Sequence, residues 1–162
     1  MGEAAVQPTV ALIGSFRQHY VVVCEAIEAF RAAGWCVRSP AGSAILEPGL
    51  DFVRFETDEP KLSDAEVQAV TLRNILKADL TFVVAPDGYV GRTTCYEIGR
   101  LMQAKRVVVY SERPRDLPVE VPPTHVLAAR EAALRFLGSL PAWAYSDAPG
   151  NLAAIERSLV AP

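Results

Sequence analysis

This 162-residue sequence is poor in the side chains that build metal sites and disulfide frameworks, with three cysteines and two histidines in all. Cys24, Cys36 and Cys95 have no zinc-site spacing, and an odd number of thiols argues against a disulfide scaffold. Buried free thiols in a reducing compartment are the expectation. His19 and His125 lie too far apart to define a site and are each expected at a helix edge or on the surface, so neither a metal nor another cofactor is called for. No apolar run approaches the roughly 18 residues of a membrane span, and Met1 to Pro8 lacks a basic segment followed by a long apolar one. A cytoplasmic protein with no membrane partner is expected. Positive charge is also missing: the formal net charge of -3 gives no general attraction to a nucleic acid polymer or an anionic bilayer. A few local arginines and backbone amides still leave room for a small anionic ligand.

What is present is an alternation of short apolar runs with longer amphipathic ones. Thr9 to Ile13 reads as a buried strand stopped by Gly14, and Ser15 to Gln18 as a turn before a helix from His19 to Ala33, with Val23, Ile27 and Phe30 on one face. Trp35 to Ser39 reads as a second strand. The stretch from Ala41 to Pro60 is broken by Gly42, Pro48 and Gly49 and suggests an insertion or lid, with Phe52 to Phe55 as a small extra strand. Ser63 and Glu66 form a capping-box pattern for a helix reaching Lys77 or Ala78. Leu80 to Ala85 suits a central parallel strand, Thr94 to Ala104 a third helix, and Arg106 to Tyr110 a fourth strand. His125 to Leu127 is a candidate last strand. Ala129 to Leu140 is a candidate closing helix with Leu134 and Leu137 inward, and Leu152 to Ile155 a helical turn. The order predicts one doubly wound, three-layer α/β domain over residues 9–140, with a mainly parallel sheet. Residues 1–8 are expected to be a flexible N-terminus, and 141–162 a tail packed on the domain or on a neighbouring subunit.

Open α/β sheets bind ligands at the carboxyl ends of their strands, which directs attention to two loops. Gly14-Ser15-Phe16-Arg17 follows the first strand and offers backbone amides, a hydroxyl and a guanidinium, although the further glycines of a dinucleotide fingerprint are absent. Asp87 to Gly99 follows the third strand. Gly88 and Gly91 permit close approach of a ligand, Tyr89 lies between them, and Arg92, Thr93 and Thr94 supply donors near a helix start. Glu97 has two readings here. It is the third helical residue of a capping box begun by Thr94, or it is an active-site carboxylate able to attack an electron-poor anomeric carbon. Asp87 is likewise either a turn former before Gly88 or an acid/base partner. Cys95 is expected to be a packed helical residue rather than a nucleophile.

Taken together, the Gly14 to Arg17 loop and the Asp87 to Gly99 stretch resemble the nucleoside 2-deoxyribosyltransferase superfamily. That group includes the deoxynucleoside 5′-monophosphate N-glycosidases and the cytidylate hydrolases of nucleoside-antibiotic pathways. The resemblance covers roughly Val10 to Tyr110 and is strongest at Tyr96-Glu97-Ile98-Gly99. It implies a Rossmann-like fold assembled into dimers or larger homo-oligomers, with sites near subunit boundaries. It also implies that Glu97 attacks C1′ of a nucleoside or nucleotide, that the loop before it holds the sugar or 5′-phosphate, and that Arg17 assists.

The same resemblance marks departures. The aspartate that relatives carry on the helix before the third strand corresponds to Thr71, so Asp87 is the provisional acid/base or sugar-orienting group. The tyrosine near the end of strand one corresponds to Ala11, leaving Tyr20, Tyr89 or Tyr96 as replacements. Thr93 stands where glycine is frequent, and Gly91 where serine or aspartate is common. Ser111, just past the fourth strand, is expected to reach a neighbouring subunit's site and contribute to phosphate binding. The function that follows is an N-glycosidase on nucleosides or nucleoside 5′-monophosphates. The alternatives are a deoxyribosyltransferase and a nucleotide-binding regulatory protein without catalysis.

Overall fold

Strand β1 (Thr9–Gly14) is apolar along its length and buried on both faces, as a central parallel strand must be. It pairs in parallel with β3 (Leu80–Val84) through five positions, from Val10 opposite Leu80 to Gly14 opposite Val84. On its other side lies β2 (Cys36–Ser39), and β4 (Val108–Tyr110) pairs with β3, so the parallel sheet has the order β2-β1-β3-β4. The computed structural model describes residues 6–40, 55, 58–143 and 152–160.

The helices are α1 (Phe16–Ala32), α2 (Asp64–Lys77), α3 (Arg92–Gln103), α4 (Ala129–Arg135) and α5 (Leu152–Val160). Alternation along the strands divides the core into two layers. Val10, Leu12, Leu80, Phe82 and Val84 pack with Val23, Ile27 and Phe30 of α1 and with Ala132, Ala133 and Phe136 on the α4 side. Ala11, Ile13 and Val83 face Ile75 of α2 and Ile98 and Leu101 of α3. The result is the single three-layer α/β domain with a parallel sheet that the pattern predicts. Among the described residues no helix is long and apolar enough to cross a membrane.

One polar clasp sets the register of the central strands. A carboxylate oxygen of Asp79, just before β3, accepts from the Thr9 amide at 2.8 Å and the Thr9 hydroxyl at 2.6 Å, while the Asp79 amide donates to the Thr9 hydroxyl at 3.0 Å. These bonds hold the Asp79 carboxyl below its ordinary range. Ser63 and Glu66 form the expected capping box at the start of α2. At the N-terminal end, Gln7 donates to the Gly34 carbonyl and Pro8 accepts from the Cys36 amide, so residues 7 and 8 are tied to the edge of the sheet.

Several elements differ from expectation. α1 begins at Phe16, and His19 carries a kink (φ -128°, ψ 36°) between that first turn and the rest of the helix. The expected strand at His125–Leu127 reduces to one bridge between Val126 and Tyr110. His125 is buried, not at the surface, with its ring between the Thr124 hydroxyl (3.0 Å) and the Ala142 carbonyl (2.8 Å). Because a carbonyl only accepts, Nε2 is the donor in the bond to Ala142. α4 ends at Arg135, and Leu134 and Leu137 are exposed at 61% and 41%. The inward stripe is instead Ala129, Ala132, Ala133 and Phe136, whose small residues let the helix approach Trp35; the indole N–H donates to the Ala133 carbonyl at 2.8 Å. α5 is nine residues long, longer than the turn read at Leu152 to Ile155. Of the extra strand expected at 52–55, only Phe55 lies within the described residues.

The corrected face of α4 has a direct consequence for stability. Phe136→Ala is expected to lower unfolding free energy by about 3 kcal/mol, whereas Leu134→Ala changes it by roughly 0.5 kcal/mol or less. Paired urea titrations check this; equal effects would contradict the inward stripe through Phe136.

Candidate functional site

Parallel pairing of β1 with β3 brings the carboxyl ends of both strands to one edge of the sheet, and the two loops singled out by the sequence meet there. Gly14 marks the close approach: a Cβ on it would lie 2.8 Å from the Val84 carbonyl oxygen. A Cβ on Gly91, at the other loop, would stand 3.8 Å from the Ser15 Cβ. Between them opens a cavity of about 550 Å³, a size suited to one small organic ligand.

The cavity is lined by Gly14, Ser15, Phe16 and Arg17 from the first loop and first turn of α1, and by Tyr89, Gly91, Arg92, Thr93, Thr94 and Glu97 from the second. Thr71 of α2 also lines it. The first turns of α1 and α3 both face this space without a side-chain cap, since neither Ser15 nor Gly91 supplies one. Helix starts without a side-chain cap favour an anionic or hydroxyl-rich ligand group.

At Glu97 the structure removes one of the two readings of the sequence. α3 starts at Arg92 with Gly91 as its N-cap, so Glu97 lies in the second turn and cannot close a capping box from Thr94. Thr94 and Glu97 lie one turn apart, in the same buried stripe as Ile98 and Leu101. Only 8% of Glu97 is accessible, and burial pushes its carboxyl up to about 8. Among the described residues no hydrogen bond or ion pair offsets that loss of water. A carboxyl group held at a core position of an amphipathic helix, on the wall of a cavity, is an unstable arrangement for the fold alone and a usual one for a reactive group.

Three residues expected at the site lie elsewhere. Asp87 is exposed, with left-handed backbone (φ 54°), and does not line the cavity. Gly88 is required by packing: a Cβ there would lie 2.6 Å from the Arg113 carbonyl oxygen, and its own carbonyl accepts from the Arg115 amide at 3.0 Å. Ser111 accepts from the Ala85 amide at 2.8 Å, closing the end of β3. Of the tyrosines offered as replacements at the site, Tyr89 lines the cavity, and its ring lies 5.7 Å from that of His19 at the α1 kink. Tyr96 is exposed and accepts a hydrogen bond from Arg100 at 3.0 Å, and Tyr20 is exposed on α1. Cys95 is a packed helical thiol, raised by burial and by the nearby Asp116 charge.

Of the α2 wall, the sequence reading found Thr71 and missed the rest. Val67, Val70, Thr71 and Asn74 line the cavity at the i, i+3, i+4, i+7 spacing of one helix face, so helical periodicity counted outward from Thr71 finds them. Ser39 lines it from the end of β2, where a bulge lets Val37 and Ser39 oppose the consecutive residues Val10 and Ala11. Phe55, Asp58, Glu59 and Leu62 line it from the segment before α2, and Leu12, Ile13, Gln18, Arg38, Pro40 and Ile75 make up the rest. No group of three or more His, Cys, Asp and Glu side chains that could hold a metal occurs among the described residues.

The buried carboxyl ties stability to pH with a defined sign. The folded protein holds the Glu97 proton up to about pH 8, and the unfolded chain releases it near the ordinary value of 4.5. The contribution is therefore full below pH 4.5 and is lost as pH rises to about 8. Glu97→Gln removes the titration, so its stability relative to wild type should climb across that window by about 1.4 kcal/mol per pH unit and then level. Denaturant unfolding at a series of pH values tests this; parallel stability curves for the two proteins would show that Glu97 is not desolvated.

Comparison of this chain with protein-family models, with curated proteins and with solved structures found no match.

Proposed function

We propose that this chain is an N-glycosidase acting on nucleosides or nucleoside 5′-monophosphates, as its resemblance to the nucleoside 2-deoxyribosyltransferase superfamily implies. The observation that carries the proposal is Glu97: buried, without a structural partner among the described residues, and on the wall of a cavity sized for one nucleotide. The uncapped first turns of α1 and α3, with Arg17 and Arg92, are the proposed seat of the sugar hydroxyls or 5′-phosphate. The ligand is a small molecule.

In the proposed reaction an ionised Glu97 oxygen bonds to C1′ as the C1′–N bond breaks, and the bonding pair leaves with the base. Water then attacks C1′, releasing the sugar and restoring the carboxylate. Desolvation works in favour of this step, because a carboxylate stripped of water gains most when positive charge develops beside it on the sugar. Asp87 lies outside the cavity, so in this proposal the departing base takes its proton from the water that attacks C1′. Asp58 is engaged, accepting from the Phe55 amide at 2.7 Å. Thr71 orients a hydroxyl or water by neutral hydrogen bonds.

The absence of Asp87 from the cavity also favours a second reading, a nucleotide-binding protein without turnover. A chromatographic screen for free base released from a panel of nucleosides and nucleoside 5′-monophosphates separates the two. Wild type should release base and Glu97→Gln should lose at least about a hundredfold in rate while remaining folded. Because the nucleophile must be ionised, kcat/KM should rise with pH to a plateau above about 8. Saturable binding without release supports the second reading, and equal rates in both proteins remove Glu97 from the chemistry.

The proposal includes a reducing, cytoplasmic setting, consistent with the free thiols Cys24, Cys36 and Cys95. It also includes self-association, supported by the exposed Val21 of α1 and Leu134 of α4. Sedimentation equilibrium should give a dimer or larger species; the mass of one chain at all concentrations would overturn that part.

A further inference from the structure

The cavity has two walls of different chemistry. α3 begins at the carboxyl end of β3 and supplies Arg92, Thr93, Thr94 and Glu97, all polar or ionisable. α2 packs against β1 and β2 instead, and the lining it supplies with Leu62 and Val67 and Val70 is apolar in its first two turns. β1 runs between, with Ile13 and Gly14 at the floor.

Phe55 joins this second wall. Its ring meets that of Phe16 edge to face, with centroids 4.9 Å apart and planes at 81°. Both rings are only partly buried and both line the cavity that Leu62, Val67 and Val70 also line, so ring surface remains uncovered there. A turn fixes Phe55 in place: its amide donates to the Asp58 carboxylate at 2.7 Å, and the Asp58 amide donates back to the Phe55 carbonyl at 3.0 Å. Phe16 lies in the short first turn of α1 ahead of the His19 kink. An edge-to-face pair presents the flat face of one ring and the edge of the other at right angles, a corner into which a third flat ring fits by offset stacking.

We propose that Phe16 and Phe55, with Leu62, Val67 and Val70, form the subsite for the planar heterocycle of the ligand, and that Phe55 determines affinity for that ring. The inference rests on the N-glycosidase reading and adds the ligand's orientation: ring against the α2 wall, sugar and phosphate against the α3 wall, and the scissile bond over the end of β1. Stacking on aromatic side chains is tolerant of ring identity, so this corner selects for a flat ring and discriminates weakly among bases.

Isothermal titration of the full chain with nucleoside 5′-monophosphates and, separately, with ribose 5-phosphate tests the assignment. Phe55→Ala should weaken nucleotide binding about tenfold or more and leave ribose 5-phosphate binding unchanged, while Phe55→Tyr should restore nucleotide affinity. Phe55→Leu, which keeps apolar bulk and loses the ring face, should behave like Phe55→Ala, separating stacking from simple filling of space. Equal weakening of both ligands, or no weakening of either, would overturn the subsite while leaving base release by wild type intact. A wild type that binds neither ligand would overturn the nucleotide reading itself.

Discussion

Everything at this site depends on the pairing of β1 with β3. Two parallel strands in register end at the same edge, and here the register is pinned at both ends. Asp79 and Thr9 clasp each other at the start of the strands, and the missing Cβ of Gly14 lets β1 close on Val84 at the finish. The loops after these strands, far apart in sequence, consequently face one another across a single cavity, with an uncapped helix start on each side. A slip of one residue would turn the inward side chains of β1 outward and separate the loops.

Against that rigid frame Glu97 is a deliberate electrostatic misfit. Its neighbours along the helix, Thr94, Ile98 and Leu101, are buried as the amphipathic pattern requires, and Glu97 shares their stripe while keeping an ionisable head. The cost of ionising it in place is what raises its proton affinity to about 8. Ionisation of Glu97 is thereby favoured by any positive charge that develops beside it. The proposed reaction uses that coupling at C1′, and the proposed aromatic corner at Phe16 and Phe55 keeps the heterocycle on the far side of the same cavity.

Much of this was legible in the sequence because it depends on local patterns. Apolar runs of four to six residues ended by glycine or proline marked β1 and β3, and the rule that ligands bind beyond the carboxyl ends of parallel strands pointed to Gly14 to Arg17 and to Asp87 to Gly99, of which Tyr89, Gly91 to Thr94 and Glu97 line the cavity. What was not legible depends on where a loop turns or which way a short helix rolls. Asp87 and Gly88 looked equivalent to Gly91 as loop residues, yet a single 3-10 turn from Pro86 carries them toward Arg113 and Arg115 and out of the cavity. The inward face of α4 was misread because Leu134 and Leu137 are the larger apolar residues, whereas contact with Trp35 selects the small ones. Phe55 sits in a stretch whose pattern glycine and proline break, and its contact with Phe16 across the cavity is not legible there.

The central claim, that Glu97 forms a bond to the sugar carbon, is tested most directly by mass spectrometry of the protein acid-quenched during turnover of a nucleoside 5′-monophosphate. The account predicts a mass gain equal to the sugar phosphate, mapped by peptide analysis to Glu97 and absent in Glu97→Gln. Base release by a protein that stays unmodified throughout, or that carries the sugar on another residue, would contradict it.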